Sequence, residues 1–215
     1  MIKAILFDLD GTLLDTLEDL TDSVNHILNT HGMPERTIDE IRSFIGNGVP
    51  TLIARSVPYD TDPEMIKICV DGMMEYYKDH ADIKTRPYDG IPELLDNLKK
   101  KNIRIAVVTN KAEEAAKILC KAKFGDVPDL VIGDNGKDKL KPAPDNVFRA
   151  LNELDLKKED VLYVGDSDVD MITAKNAGLR SVGVTWGFRD ENVLRKNGAD
   201  HIINTPLELL NLNNL

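Results

Sequence analysis

Short apolar runs alternate with amphipathic stretches along most of the chain. Ile2–Leu9 is nearly continuous in apolar character, broken by Lys3 and Asp8, and predicts a strand buried on both faces. Ile103–Thr109, Leu130–Ile132, Val161–Val164, Ser181–Val184 and His201–Ile203 read the same way. Between them, Leu94, Leu95 and Leu98 share one side of a helix that runs into Lys99–Lys101, where cations suit the helix dipole. Ala112–Cys120, Asn146–Leu154 and Val169–Ala177 predict further helices, the last capped by Gly178. Such alternation predicts an α/β fold with a Rossmann-like, doubly wound parallel sheet.

Residues 16–84 break the rhythm. Helical patterns follow one another there over Leu17–Thr30, Ile38–Ile45, Val49–Val57 and Pro63–His80, punctuated by Pro58 and Pro63 and without a strand. We therefore expect a helical subdomain over 16–84, inserted in an α/β core made of 1–15 and 85–215. The terminal residues 211–215 are expected to fray.

Charge narrows the function classes. The 215 residues hold 27 Lys+Arg against 37 Asp+Glu, a net charge of −10, and residues 16–84 alone hold 6 against 13. Nucleic-acid binding rests on clustered cations, so a phosphate-backbone footprint is not expected. No stretch of about 18 apolar residues predicts a membrane span, and acids within the first ten residues argue against a signal peptide. Cys69 and Cys120 are too isolated for a disulfide framework or a cysteine zinc site. A cytoplasmic protein is the expectation, with its oligomeric state unread.

Polar residues of one kind recur at the strand ends. Asp8-Leu9-Asp10-Gly11-Thr12 follows the first strand, Thr109-Asn110-Lys111 the second, and Gly165-Asp166-Ser167-Asp168-Val169-Asp170 the run at Val161. Lys139-Leu140-Lys141-Pro142 lies between the last two. Each has an ordinary reading. Asp10-Gly11 can be a turn, Thr109-Asn110 a helix cap, the lysines a solvated loop, and Asp166, Asp168 and Asp170 caps of the next helix, with Asp168 expected to do only that. Four such coincidences at the carboxyl end of one parallel sheet favour a site instead. Converging carboxylates repel one another, so the site calls for a divalent cation, and oxygen ligands suit Mg²⁺.

This ordered set, with a helical insertion after the first strand, resembles the haloacid dehalogenase superfamily, specifically its phosphatases with a helical cap. The resemblance covers essentially the whole chain. It implies that Asp8 is the nucleophile, forming an aspartyl-phosphate, and that Asp10 is the acid and then the base. Thr109 and Asn110 would bind phosphoryl oxygens and Lys141 would counter charge, with Lys139 as the fallback. Asp8, the Asp10 carbonyl, Asp166 and Asp170 would serve Mg²⁺, Asp170 directly or through water.

Phe44-Ile45-Gly46-Asn47-Gly48, together with Thr109-Asn110-Lys111, looks like the phosphoglycolate phosphatase branch. That likeness implies a small phosphorylated metabolite, 2-phosphoglycolate, with Gly46, Asn47 and Gly48 as a binding turn and Arg55 or Lys111 meeting the carboxylate. A plain interhelical turn is the other reading of Gly46–Gly48. A pyrophosphatase or a sugar-phosphate phosphatase or mutase fits the same fold, and a phosphoacceptor signalling module is the alternative outside it. The four histidines show no ligand spacing, and Trp186 and Phe188 are expected to pack rather than line a pocket.

Overall fold

The computed structural model describes residues 2–212, so the expected fraying at 213–215 lies outside the described residues. In chain order, β1 (Ala4–Phe7) and the two-residue β2 (Leu14–Asp15) precede four helices, α1 (Leu17–Thr30), α2 (Ile38–Phe44), α3 (Gly48–Ser56) and α4 (Pro63–His80). A second two-residue strand, β3 (Arg86–Pro87), leads to α5 (Ile91–Lys100), β4 (Arg104–Ala112), α6 (Glu113–Phe124) and β5 (Leu130–Asp134). Then come α7 (Asp145–Glu153), β6 (Val161–Gly165), α8 (Asp168–Ala177), β7 (Arg180–Val184), α9 (Glu191–Lys196) and β8 (His201–Ile203). The chain divides into one compact unit of 1–14 plus 87–215 and another of 15–86. Among the described residues no helix is long and apolar enough to cross a membrane.

In the first unit six strands form a parallel sheet in the order β5-β4-β1-β6-β7-β8. All four residues of β1 are buried, because alternate side chains feed two cores. Ile5 and Phe7 join Leu94 and Leu98 of α5 and Leu119 of α6 on one face. Ala4 and Leu6 join Val147 and Leu151 of α7 and Ala174 of α8 on the other. Helices on both sides explain why these strands read as continuous apolar runs rather than alternating ones. Full burial of each such Leu or Ile stabilises by roughly 1.5–3 kcal/mol.

The second unit packs α1, α2, α3 and α4 around Leu20, Val24, Ile41, Ile53, Cys69 and Met73. Thr37 and Glu40 form a capping box at α2, and Asp62 accepts from the Glu64 N–H ahead of Pro63 at the start of α4. Asn25 of α1 bonds both the N–H and the carbonyl of Arg36, which fixes the segment leading to α2. Asp19 is 2% exposed and accepts from the N–H groups of Ile83, Lys84 and Thr85 at 3.2, 3.0 and 2.8 Å, tying the outgoing chain to α1.

Candidate active site

β1 sits where the strand order reverses, with β4 on one side and β6 on the other. The crevice beyond the carboxyl ends at such a switch point is where open parallel sheets gather reactive groups. Asp8 directly follows β1 and Asp166 directly follows β6, while Thr109, Asn110 and Lys111 lie in the last part of β4. A register shift in β4 between Val108 and Ala112 sets these three residues apart from the regular ladder with β5.

Lys141 ties the centre together. It is 4% exposed, and its Nζ lies 2.8 Å from Asp8 Oδ1 and 2.7 Å from Asp170 Oδ1. Its backbone is clamped by the Asn110 side chain, which accepts from the Lys141 N–H at 2.8 Å and donates to the Lys141 carbonyl at 3.0 Å. Burial alone would push this ammonium down; the Asp170 and Asp8 carboxylates outweigh it and hold it well above the ordinary lysine range. Lys139, the fallback, is exposed.

Carboxylate oxygens of Asp8, Asp166 and Asp170 lie within 4.8 Å of one another, all three residues buried. Asp166 accepts from Thr12 Oγ1 at 3.0 Å and from the Phe188 N–H at 2.7 Å. A Cβ at either Gly11 or Gly187 would overlap Asp166, and Gly11 also has φ +88°, so both positions suit glycine for a physical reason. Burial, then the Asp170 charge, raises the Asp166 carboxyl to about 7. The same two causes lead in raising Asp8 well above its usual range, against the opposing pull of Lys141. Three buried acids with one ammonium leave negative charge uncompensated, and their donors are all oxygen. Such a set fits a hard divalent cation such as Mg²⁺.

Asp170 belongs to the cluster but has its acceptors engaged. Oδ1 faces Lys141 Nζ and the Tyr163 hydroxyl at 2.7 and 3.2 Å; Oδ2 receives the Ser167 N–H and hydroxyl at 3.1 and 2.6 Å. A carboxylate offers about four such positions. The cap of α8 is Ser167, in a capping box with Asp170, and not Asp168 as expected. Asp168 instead pairs with Arg189 at 3.4 Å. Helix capping goes to Ser167 because its β-region backbone turns the hydroxyl onto the N–H three residues on.

Asp10, two residues past Asp8, faces Lys111, whose Nζ lies 3.1 Å from Oδ1 and 3.5 Å from Oδ2. The Thr109 hydroxyl accepts from the Lys111 N–H at 3.2 Å and is buried. Asp8, Asp10, Thr109, Asn110, Lys111, Lys141, Asp166 and Asp170 all belong to the first unit. Gly46, Asn47, Gly48 and Arg55 belong to the second. There, Gly46 and Gly48 take φ +128° and +80° around Asn47, which makes no side-chain cap bond to α3. Arg55 donates to the Phe44 carbonyl at 2.9 Å, bracing the same turn.

Sequence reasoning missed the supporting residues Thr12, Tyr163 and Ser167 and the Phe188 N–H. Ser167-x-x-Asp170 is a capping-box spacing and was there to be read. Phe188 does pack, at 9% exposure, and Trp186 donates from Nε1 to the Thr12 carbonyl at 3.0 Å. His26 and His80 stack on either face of Tyr76 at 3.8 and 3.7 Å, a packing arrangement rather than a ligand set.

Residues 5–184 match the haloacid dehalogenase-like hydrolase family. A phosphoglycolate phosphatase of Neisseria meningitidis is 35% identical over 203 residues, covering 92% of this chain and 86% of that protein. An N-acetylmuramic acid 6-phosphate phosphatase of Pseudomonas aeruginosa is 29% identical, covering 98% and 94%. A crystal structure from Lactobacillus delbrueckii, of a candidate phosphoglycolate phosphatase, superposes with TM-score 0.91 at 32% identity and covers 96% of each chain. The strand-end carboxylates, the buried lysine and these likenesses agree: the chain belongs to the haloacid dehalogenase-like hydrolase family and is a phosphatase within it.

Proposed function

We propose that the protein is a Mg²⁺-dependent phosphomonoesterase that works through an aspartyl-phosphate on Asp8, with 2-phosphoglycolate as substrate. The observation that carries this reading is the Asp8 carboxylate held against Lys141 beside Asp166, with a second carboxylate at Asp10. A phosphate monoester is a dianion and repels a carboxylate nucleophile unless nearby charge is neutralised. Counting Asp8, Asp166 and Asp170 as ionised and Asp10 as protonated, against Lys111, Lys141 and one divalent cation, the centre carries one net positive charge to meet the dianion. Electrostatic stabilisation of the transferring group then has most to give.

Asp8 attacks phosphorus while Asp10 gives a proton to the departing oxygen. Asp10 then takes a proton from the water that attacks the same phosphorus, which frees orthophosphate and restores Asp8. Thr109 and Asn110 hold phosphoryl oxygens, and Lys141 keeps Asp8 from bearing an uncompensated charge. Asp8, Asp166 and the Asp10 carbonyl would hold Mg²⁺, with Asp170 positioning Lys141 and meeting the ion only through water. Bound there, the cation would supply positive charge to offset the phosphate dianion. Residues 16–84 serve as a cap that selects the leaving group and excludes water, with the Gly46–Gly48 turn as its candidate contact. The phosphoglycolate phosphatase relative supports the substrate, and the relative acting on N-acetylmuramic acid 6-phosphate makes a larger carboxylated ester the second reading.

Steady-state hydrolysis of a phosphate-ester panel tests this directly. Turnover should require Mg²⁺ and be most efficient with 2-phosphoglycolate. A flat profile near background would remove the reading.

A further inference from the structure

The Lys111–Asp10 pair sets a largely buried ammonium against the carboxyl that serves the leaving group. Lys111 and Asp10 side chains are 7% and 16% exposed. Lys111 stands in the irregular stretch of β4, outside the ladder with β5, and the Thr109 hydroxyl accepts from its N–H. Bulges of this kind re-aim a side chain. The irregular stretch packs on Gly133, where an added Cβ would come within 2.5 Å of the Lys111 carbonyl oxygen, so this close approach needs glycine. An ammonium placed this way keeps the Asp10 oxygens engaged, yet Asp10 has to serve the leaving oxygen of the substrate. A substrate anion that draws Lys111 away leaves both Asp10 oxygens to the leaving group.

We propose that Lys111 is the specificity-determining residue of this site, and that it exchanges Asp10 for a carboxylate carried by the leaving group. The inference rests on the phosphoglycolate reading and adds to it the group that recognises the acid. The leaving oxygen lies beside Asp10 by the role Asp10 performs, and Lys111 Nζ is 3.1 Å from Asp10. A carboxylate one carbon away from that oxygen meets the ammonium as the pair opens. A substrate with a hydroxyl in its place offers a weaker acceptor and leaves Lys111 on Asp10. Substrate acidity is thereby coupled to release of the residue that serves the leaving group.

The test compares 2-phosphoglycolate with 2-hydroxyethyl phosphate, matched in size, for the wild type, Lys111→Met and Lys111→Arg at saturating Mg²⁺. The wild type should prefer the carboxylated ester. In Lys111→Met the preference, read as the ratio of kcat/KM values, should fall roughly 10- to 100-fold, chiefly through KM for 2-phosphoglycolate. Lys111→Arg should keep most of it. A wild-type preference that survives in Lys111→Met overturns the inference while leaving the phosphoglycolate reading intact. Equal loss on both esters through kcat alone also overturns it, since Lys111 would then act only through Asp10. A wild type indifferent to the two esters overturns the phosphoglycolate reading and the inference with it. Should Lys111→Met fail to fold, product inhibition of the wild type decides. Glycolate should inhibit more strongly than ethylene glycol, and equal inhibition overturns the inference.

Discussion

Both units carry ion pairs on their surfaces, but they differ in where charge is buried. In the α/β unit, Asp8, Asp166, Asp170 and Lys141 are buried together, and Lys111 with Asp10 nearly so. In the helical unit Lys67–Asp71 lies on the surface with side chains 75% and 61% exposed, and so does Lys78–Glu75 at 65% and 76%. Surface pairs contribute about 0–1 kcal/mol, whereas breaking a buried pair strands a charge away from water. A fold that only needed stability would gain little from the first arrangement. Buried charge therefore marks where this protein does chemistry, and the helical unit has the charge pattern of a solvated scaffold. Asp19 is the exception there, a buried carboxylate that three backbone N–H groups hold at the return of the chain.

That contrast can be broken by mutation. Lys141→Met should have the largest effect, leaving Asp8 and Asp170 without their cation and costing about 3–5 kcal/mol in urea unfolding. A loss no larger than that of a surface pair would end the contrast. Asp19→Ala should cost about 1–3 kcal/mol, because it orphans the amides of residues 83–85. Faster amide hydrogen exchange confined to that segment would identify the cause.

A subtler case is Glu113, held by Lys117 and Arg149 and by the Gly133 N–H. Burial alone would raise its carboxyl, but these partners outweigh it and lower it from 4.5 to about 2. A depressed carboxyl adds stability above its unfolded value and loses it as pH falls through the folded one. The stability gap between the wild type and Glu113→Gln should thus be full above about pH 4.5 and shrink toward pH 2. A gap that widens on acidification would contradict this assignment. Smallest of all, Lys67→Ala should change stability by no more than about 0.5 kcal/mol.

The central sheet was legible because strands covered on both faces show as apolar runs; β1 and β6 are the clearest cases. β2 and β3, with two residues each, are too short to carry any period. β4 runs on to Ala112, past the expected end at Thr109, because its irregular stretch carries polar residues that break the apolar signal. In the site, Asp8, Asp10, Lys141 and Asp166 could be picked out by their position after apolar runs or before a proline. Their partners could not. The Tyr163 hydroxyl reaching Asp170 and the Phe188 N–H reaching Asp166 depend on strand neighbours and a loop return that no local spacing encodes. Lys111 was visible as a candidate for the substrate, but its pairing with Asp10 spans 101 residues.

If Asp8 accepts the phosphoryl group, Asp10→Asn offers the most direct view of it. Incubated with Mg²⁺ and p-nitrophenyl phosphate, whose phenolate departs without a proton from Asp10, and then quenched in acid, this variant should carry a phosphoryl group on the peptide containing Asp8, detected by mass spectrometry, while steady turnover is lost. An Asp10→Asn enzyme that hydrolyses the ester at the wild-type rate, or a phosphoryl group found on a different residue, would contradict it.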